Sequence, residues 1–184
     1  KPSLPDRWNE LSMEQISFGQ GLGVVPLSFA SAVAAIVNGG YLIEPTLYPR
    51  DKSYKTNAKL ITSDVSKSMR YVMREVVKNG SGKKADVDGY NVIGKTGTAD
   101  KPCITGGYCG RMTSFVGAFP GNDPEYVVLV SLDNPKGKKD VRGSSAYWNA
   151  APAAGQIIKL IAPQLNIPIQ NNFSAFQEHA RVDN

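Results

Sequence analysis

"YNVIGKTGTADKP", residues 90–102, is the stretch on which the fold reading turns. Its apolar start, with β-branched Val92 and Ile93, runs without a spacer into Lys95, Thr96, Gly97 and Thr98. β-Branched residues fit a pleated, half-buried surface, so 90–99 is expected to be a strand. That strand leaves the core carrying a cation, two hydroxyls and a glycine. Residues two apart share a face, which places Thr96 and Thr98 side by side. Both hydroxyls can donate to a carboxylate. Lys95 is a fixed positive charge that can hold a carboxylate or favour the charged state of a neighbouring group. Gly97 removes the side chain that would block a ligand lying along the strand. A backbone N–H near Thr98 can then donate to a carbonyl oxygen, which is half of an oxyanion hole.

Working outward, "TSFVGAFP" (113–120) is expected to be a second strand and "YVVLVSL" (126–132) a third. "NDPE" between them is a turn, and so short a connection requires antiparallel pairing. The nearly unbroken apolar run of 126–132 predicts a strand inside the sheet, with both faces covered. Upstream, Pro26 suits the first turn of a helix, and Asn38-Gly39-Gly40 stops it. This helix is apolar nearly all round and is expected to be buried. Residues 41–48 read as extended, and residues 1–21 as irregular. Val65, Met69, Val72, Met73 and Val76 form a helical stripe, capped by Thr62 or Ser63 and ended by Asn79-Gly80. Residues 81–89 are a loop. A last helix starts at Asn149, with Ala150, Ala154, Ile157, Ile158 and Ile161 as its apolar stripe, and stops before Pro163. Its small residues allow a close approach to a sheet. The order gives an α+β fold, an antiparallel sheet covered by helices. Residues 1–169 form one unit and 170–184 a loose polar tail.

The totals narrow the function classes. A chain of 184 residues that is 41% hydrophobic can bury one sizeable core. Lys plus Arg is 21 and Asp plus Glu is 16. The excess favours anionic partners only weakly. The densest basic run, Lys136 to Arg142, has no aromatic residue, so a nucleic-acid partner is not expected. The longest apolar run, Leu22 to Val37, is too short and too interrupted to span a bilayer. The chain opens without Met and reads as part of something longer. His179 is the only histidine, far from the two cysteines, so a metal site is not expected. Cys103 and Cys109 lie in one polar loop; they can pair in an oxidising compartment or both stay free.

K-T-G alone is a short motif. It is one of three in serine β-lactamases and penicillin-binding proteins, with S-x-x-K and S-x-N. The one S-x-x-K here, Ser81-Gly82-Lys83-Lys84, lies in a glycine-containing loop just before the strand. No helix aims its serine at its lysine, and it reads as a chance match. No S-x-N occurs, and Tyr147-Trp148-Asn149 matches the Y-x-N variant only at the start of the last helix.

The resemblance is wider than a motif. "SFGQGLGVVPLSFASAVAAIVNGGYLIEPTL" (17–47), "GYNVIGKTGTA" (89–99), "TSFVGAFPGNDPEYVVLVSLDNPKG" (113–137) and "WNAAPAAGQIIKLIAPQLNI" (148–167) follow one another in the order of class B penicillin-binding proteins. The likeness covers most of residues 8–167 and is strongest to the division-specific D,D-transpeptidases of Gram-negative bacteria. It implies the C-terminal portion of a penicillin-binding-protein/serine β-lactamase-like fold. It implies peptidoglycan crosslinking through a serine acyl-enzyme, with the serine on an upstream segment of the same protein. The acyl-transfer chemistry so implied needs no cofactor. Partners would be the stem peptide, β-lactams and division proteins, on the periplasmic face of an inner membrane reached through an N-terminal anchor. Thr96 and Thr98 would hold the ligand carboxylate, with Gly97 clearing the strand. The Thr98 N–H would complete the oxyanion hole, and Lys95 would tie the strand to the other motifs.

Three departures stand out. Val25 and Ser28 occupy positions where the family often has Thr and Gln, and Asp100 one where Gln, Lys or Arg is common. The Cys103–Cys109 pair is not a general family feature; in a periplasmic protein it is expected to be a disulfide. Two other classes fit parts of the pattern: a serine β-lactamase-like hydrolase and a non-catalytic interaction module.

Overall fold

The computed structural model describes residues 2–4, 8–50, 58–136, 145–170 and 172–173. Three strands form one antiparallel sheet in the order β1-β2-β3: β1 (Ile93–Pro102), β2 (Tyr108–Phe119) and β3 (Tyr126–Asp133). Four helices accompany them: α1 (Glu10–Ser17), α2 (Pro26–Val37), α3 (Ser63–Asn79) and α4 (Ala150–Ile161). Single helical turns occupy Lys83–Ala85 and Ala146–Trp148.

The pleat sorts the apolar residues into two layers. Phe115 and Phe119, with Val128, Val130 and Leu132, face Ala150, Ala151, Ala154 and Ile158 of α4. On the opposite face Ile93, Val116 and Ala118, with Val127 and Leu129, meet Val33 and Val37 of α2 and Met73 of α3. The small residues of α4 do what their size allows. A Cβ on Gly155 would lie 3.0 Å from the Lys84 carbonyl oxygen, so the helix presses onto the 83–85 turn.

Several expectations are corrected. The third strand packs against both layers, but its residues are at most half-buried, and among the described residues it is an edge strand with β2 central. An apolar run reports covered faces; it carries no information about which hydrogen-bonding edge is paired. Helix α2 is buried only in its C-terminal half, at Val33, Ala35 and Val37; Leu27 is exposed. Within the expected irregular stretch 1–21, residues 10–17 are helical. The Asn9 side chain accepts from the Ser12 N–H at 2.8 Å, and Glu10 lies in the first turn. This is a local cap signal. Helix α3 is rotated from its predicted stripe: Ser66, Met73 and Val77 are buried, whereas Val65 and Val72 are exposed. Met73 and Val77 pack into the two cores, and the buried Ser66 hydroxyl is satisfied by accepting from the Gly39 N–H at 3.0 Å.

Residues 41–48 form no strand beyond an isolated bridge between Tyr41 and Lys59. Gly40 has φ +101°, and a Cβ there would collide with the Ile61 carbonyl, so the stop after α2 needs glycine. The start of the expected loose tail is tied down. The Gln170 N–H donates to the Gly89 carbonyl at 2.7 Å, and Asn91 and Asn122 donate to the Asn172 carbonyl. The rest of the tail, and most of the Lys136 to Arg142 run, lie outside the described residues.

Candidate active site

Strand β1 pairs with β2 along one side, and no strand borders its other side among the described residues. The Lys-Thr-Gly-Thr run sits on this open edge. Lys95 pairs with Val116, Thr96 with Phe115, Gly97 with Ser114 and Thr98 with Thr113. Thr96 and Thr98 therefore share the face covered by α4, and Lys95 and Gly97 the face covered by α2 and α3. Lys95 and Thr98 are exposed; Thr96 and Gly97 are half-buried.

Each side chain has a defined setting. The Lys95 ammonium donates to the Thr96 carbonyl at 2.7 Å. The Thr98 hydroxyl accepts from the Ala146 N–H at 3.1 Å. A hydroxyl carries one donor and two acceptor sites, so the Thr98 proton remains available to a ligand. The Thr96 hydroxyl lies 2.7 Å from the Ser81 hydroxyl. A Cβ on Gly97 would lie 2.7 Å from Ser114 Oγ, so glycine here makes room for its cross-strand neighbour. Across the strand pair from Thr98, the Thr113 hydroxyl is fully buried, with no hydrogen-bond partner among the described residues.

The strand continues into a hairpin. Asp100 pairs with Arg111 at 3.2 Å and Lys101 with Asp133 at 2.6 Å, both on the surface. Asp100 thus turns its charge to a cross-strand partner. Cys103 and Cys109 face each other across the tip with Cα atoms 5.4 Å apart, within the span of a disulfide. The positive-φ glycines Gly106 and Gly107 make the turn between them. Away from this site, burial lowers the Arg70 guanidinium from its ordinary value, opposed by the attraction of Asp123.

The other two motif candidates are resolved by their contacts. Ser81 is not on a helix, and its hydroxyl faces Thr96. The Lys84 ammonium sits over the Trp148 and Tyr147 rings, 3.6 and 4.8 Å from their centroids. Nothing here pairs the serine with the lysine. Asn149 caps α4 by accepting from the Ala150 N–H at 2.6 Å, a structural use of Tyr147-Trp148-Asn149. Sequence reasoning missed two contributors, Ser81 and the Ala146 N–H. The first was read only as a false motif, and a backbone group leaves no mark in a sequence. No cluster of metal-ligating side chains occurs among the described residues.

The helix-covered antiparallel sheet and its Lys-Thr-Gly-Thr edge strand define an α+β fold of the penicillin-binding-protein and serine β-lactamase class. Comparison with known proteins is narrower. Residues 1–159 match the family described as the penicillin binding protein transpeptidase domain, and the chain belongs to that family. It is 37% identical over 179 residues to the probable peptidoglycan D,D-transpeptidase FtsI of Caulobacter vibrioides, covering 91% of this chain and 30% of that protein. It is 37% identical over 180 residues to stage V sporulation protein D of Bacillus subtilis, covering 91% of this chain and 27% of that protein.

Among solved structures, the transpeptidase domain of Burkholderia pseudomallei penicillin-binding protein 3 superposes with a TM-score of 0.77 at 29% identity. That match covers 89% of this chain and 49% of that one. Penicillin-binding protein 3 of Mycobacterium tuberculosis, solved with ampicillin, gives a TM-score of 0.75 at 26% identity over 91% of this chain and 40% of that one. The chain thus spans under a third of these curated relatives and about half of the Burkholderia domain. No described helix is long and apolar enough to cross a membrane.

Proposed function

We propose that this chain supplies one wall of the acyl-transfer cleft of a peptidoglycan D,D-transpeptidase that also binds β-lactams. The observation that carries the reading is the open edge of β1, where the Thr98 hydroxyl is held by the Ala146 N–H with its proton free for a carboxylate. Thr96 and Thr98 grip the terminal carboxylate of a D-Ala-D-Ala stem peptide, or the carboxylate of a penicillin. The Thr98 N–H serves as one oxyanion-hole donor. Lys95 supplies the positive charge beside the reacting groups.

The nucleophile is a serine on an upstream segment of the enzyme. Its oxygen bonds to the penultimate D-Ala carbonyl carbon, the C–N bond to the terminal D-Ala breaks, and the serine proton passes to the leaving amine. An amine of a second stem peptide then attacks the ester, the C–O bond breaks, and the serine oxygen regains a proton. No cofactor takes part. Family membership and relatives named as D,D-transpeptidases support this setting, on the outer side of the cytoplasmic membrane and in division.

Penicillin labelling tests the reading. The whole protein should form a stoichiometric covalent adduct with fluorescent penicillin that persists, as a transferase without an efficient route to hydrolysis requires. Rapid turnover with release of penicilloate would instead mark a β-lactamase-like hydrolase, and no adduct a binding module. The 184-residue chain alone should stay unlabelled. A band lost on Ser81→Ala would show that Ser81 is a nucleophile and overturn the assignment of the serine elsewhere.

A further inference from the structure

We propose that the Ser81-Gly82-Lys83-Lys84 turn organises the carboxylate subsite, with Ser81 positioning Thr96 and Lys84 positioning the N–H that holds Thr98. The inference rests on the carboxylate-binding reading of β1.

The turn has the rigidity that such a role needs. It follows α3 directly, and the N–H groups on either side of Ser81, those of Gly80 and Gly82, both donate to the Val76 carbonyl, at 3.1 and 3.0 Å. Gly82 is buried, and Ala85 is fully buried. Gly155 of α4 packs against the Lys84 carbonyl and Ala85. Ser81 is therefore fixed at both flanks, and its hydroxyl meets Thr96 at 2.7 Å.

Hydroxyl arithmetic sets the direction of that bond. A bound carboxylate only accepts hydrogen bonds. It draws the Thr96 proton toward itself, so Ser81 must donate into Thr96 Oγ. Thr98 has the same arrangement, with the Ala146 N–H as its protein donor. Both threonines then present a proton to the ligand while a protein group satisfies a lone pair. Without Ser81, the Thr96 hydroxyl loses the donor that orients it.

Lys84 reaches the second threonine through the aromatic pair. Its ammonium lies over Trp148 and Tyr147, which stack edge to face with centroids 4.9 Å apart. Those rings belong to the helical turn that begins with Ala146, whose N–H donates to Thr98. A cation held on two ring faces clamps this turn to the 81–84 loop. One loop therefore reaches both hydroxyls, Thr96 through Ser81 and Thr98 through the clamp. Ser81 and Lys84 are positioning residues.

The test uses the whole protein and compares acylation by benzylpenicillin with acylation by its neutral methyl ester. Losing one orienting hydrogen bond to a charge-binding hydroxyl should slow the acid about five- to tenfold in Ser81→Ala, and leave the ester within about twofold of wild type. Lys84→Met should show the same selective loss, and Lys84→Arg, which keeps the cation on the rings, should restore the rate. Equal losses for acid and ester, or no loss for either, would overturn the inference. Should Ser81→Ala not fold, the Lys84 pair decides it by the same criterion. Thr98→Val is the control for the underlying reading. If wild type and Thr98→Val show no preference for acid over ester, carboxylate binding on β1 fails and this inference falls with it. If the Thr98→Val preference changes while the turn variants behave as wild type, the inference alone fails.

Discussion

The sheet with α4 and the segment leading into α2 are built by different rules. Phe115, Phe119, Ile93 and Ile158 are sealed completely between layers. Trp8, Leu11, Met13 and Phe18, on and around α1, are all more than half exposed, and α1 buries no residue. The sheet region is held by burial, at about 25 cal/mol for each Å² of apolar surface removed from water. Helix α1 is held by a cap and its backbone ladder, and isolated helices this short are marginal in water. Tertiary packing, not local propensity, thus fixes the part of the molecule that carries the site.

Substitutions can break that contrast. Phe115→Ala should cost about 3–5 kcal/mol, because it empties a sealed layer of the core. Phe18→Ser should change the stability of the chain by less than about 0.5 kcal/mol, as expected for an exposed site. Urea unfolding of the two variants checks this, and comparable losses would show that the N-terminal segment is packed after all. Reduction of the Cys103–Cys109 bridge, which we propose forms in the native protein, should cost about 2 kcal/mol by the chain-entropy account of a short loop. Thiol titration of the denatured, unreduced protein checks the bridge itself: two reactive thiols per chain would reject it.

Smaller effects sharpen the contrast from the other side. Thr113→Val should stabilise by about 1 kcal/mol, since it replaces a buried hydroxyl that has no partner among the described residues with a methyl of nearly the same shape. A loss of stability would reveal a partner for that hydroxyl. Val25→Thr should add about 0.5 kcal/mol, because Val25 stands at the N-cap of α2 without a side-chain bond to the first turn. An unchanged melting temperature would mean that the first turn of α2 frays regardless of its cap.

Legibility in the sequence follows the same division. The three strands came from β-branching and apolar runs, and the antiparallel pairing of the last two from a short turn, all local signals. The extension of β1 to Pro102 and of β2 back to Tyr108, which puts Cys109 on a strand and not in the expected polar loop, left no such signal. The Lys95 to Thr98 run was visible as chemistry because four informative residue types stand in a row. The edge position of β3 among the described residues was not visible, since covered faces and paired edges are separate properties. Nor was the rotation of α3, whose Met73 and Val77 pack into the two cores while the buried Ser66 hydroxyl is satisfied by the Gly39 N–H. Helix α1 was legible and overlooked: Asn9 followed by Glu10 is an ordinary start signal. Ser81 and Ala146 lie 15 and 48 residues from their threonines, and only folding brings them to β1.

The central claim is that the open edge of β1 binds and polarises the acyl donor, and the acylation rate of the whole protein by penicillin tests it most directly. Lys95→Ala should slow acylation by more than the roughly 10²–10³-fold that follows loss of one oxyanion-hole donor, and Thr98→Val by less, because its backbone N–H remains. Both variants should keep the thermal stability of the wild type. Acylation of both at the wild-type rate would contradict the account and leave β1 as a structural edge.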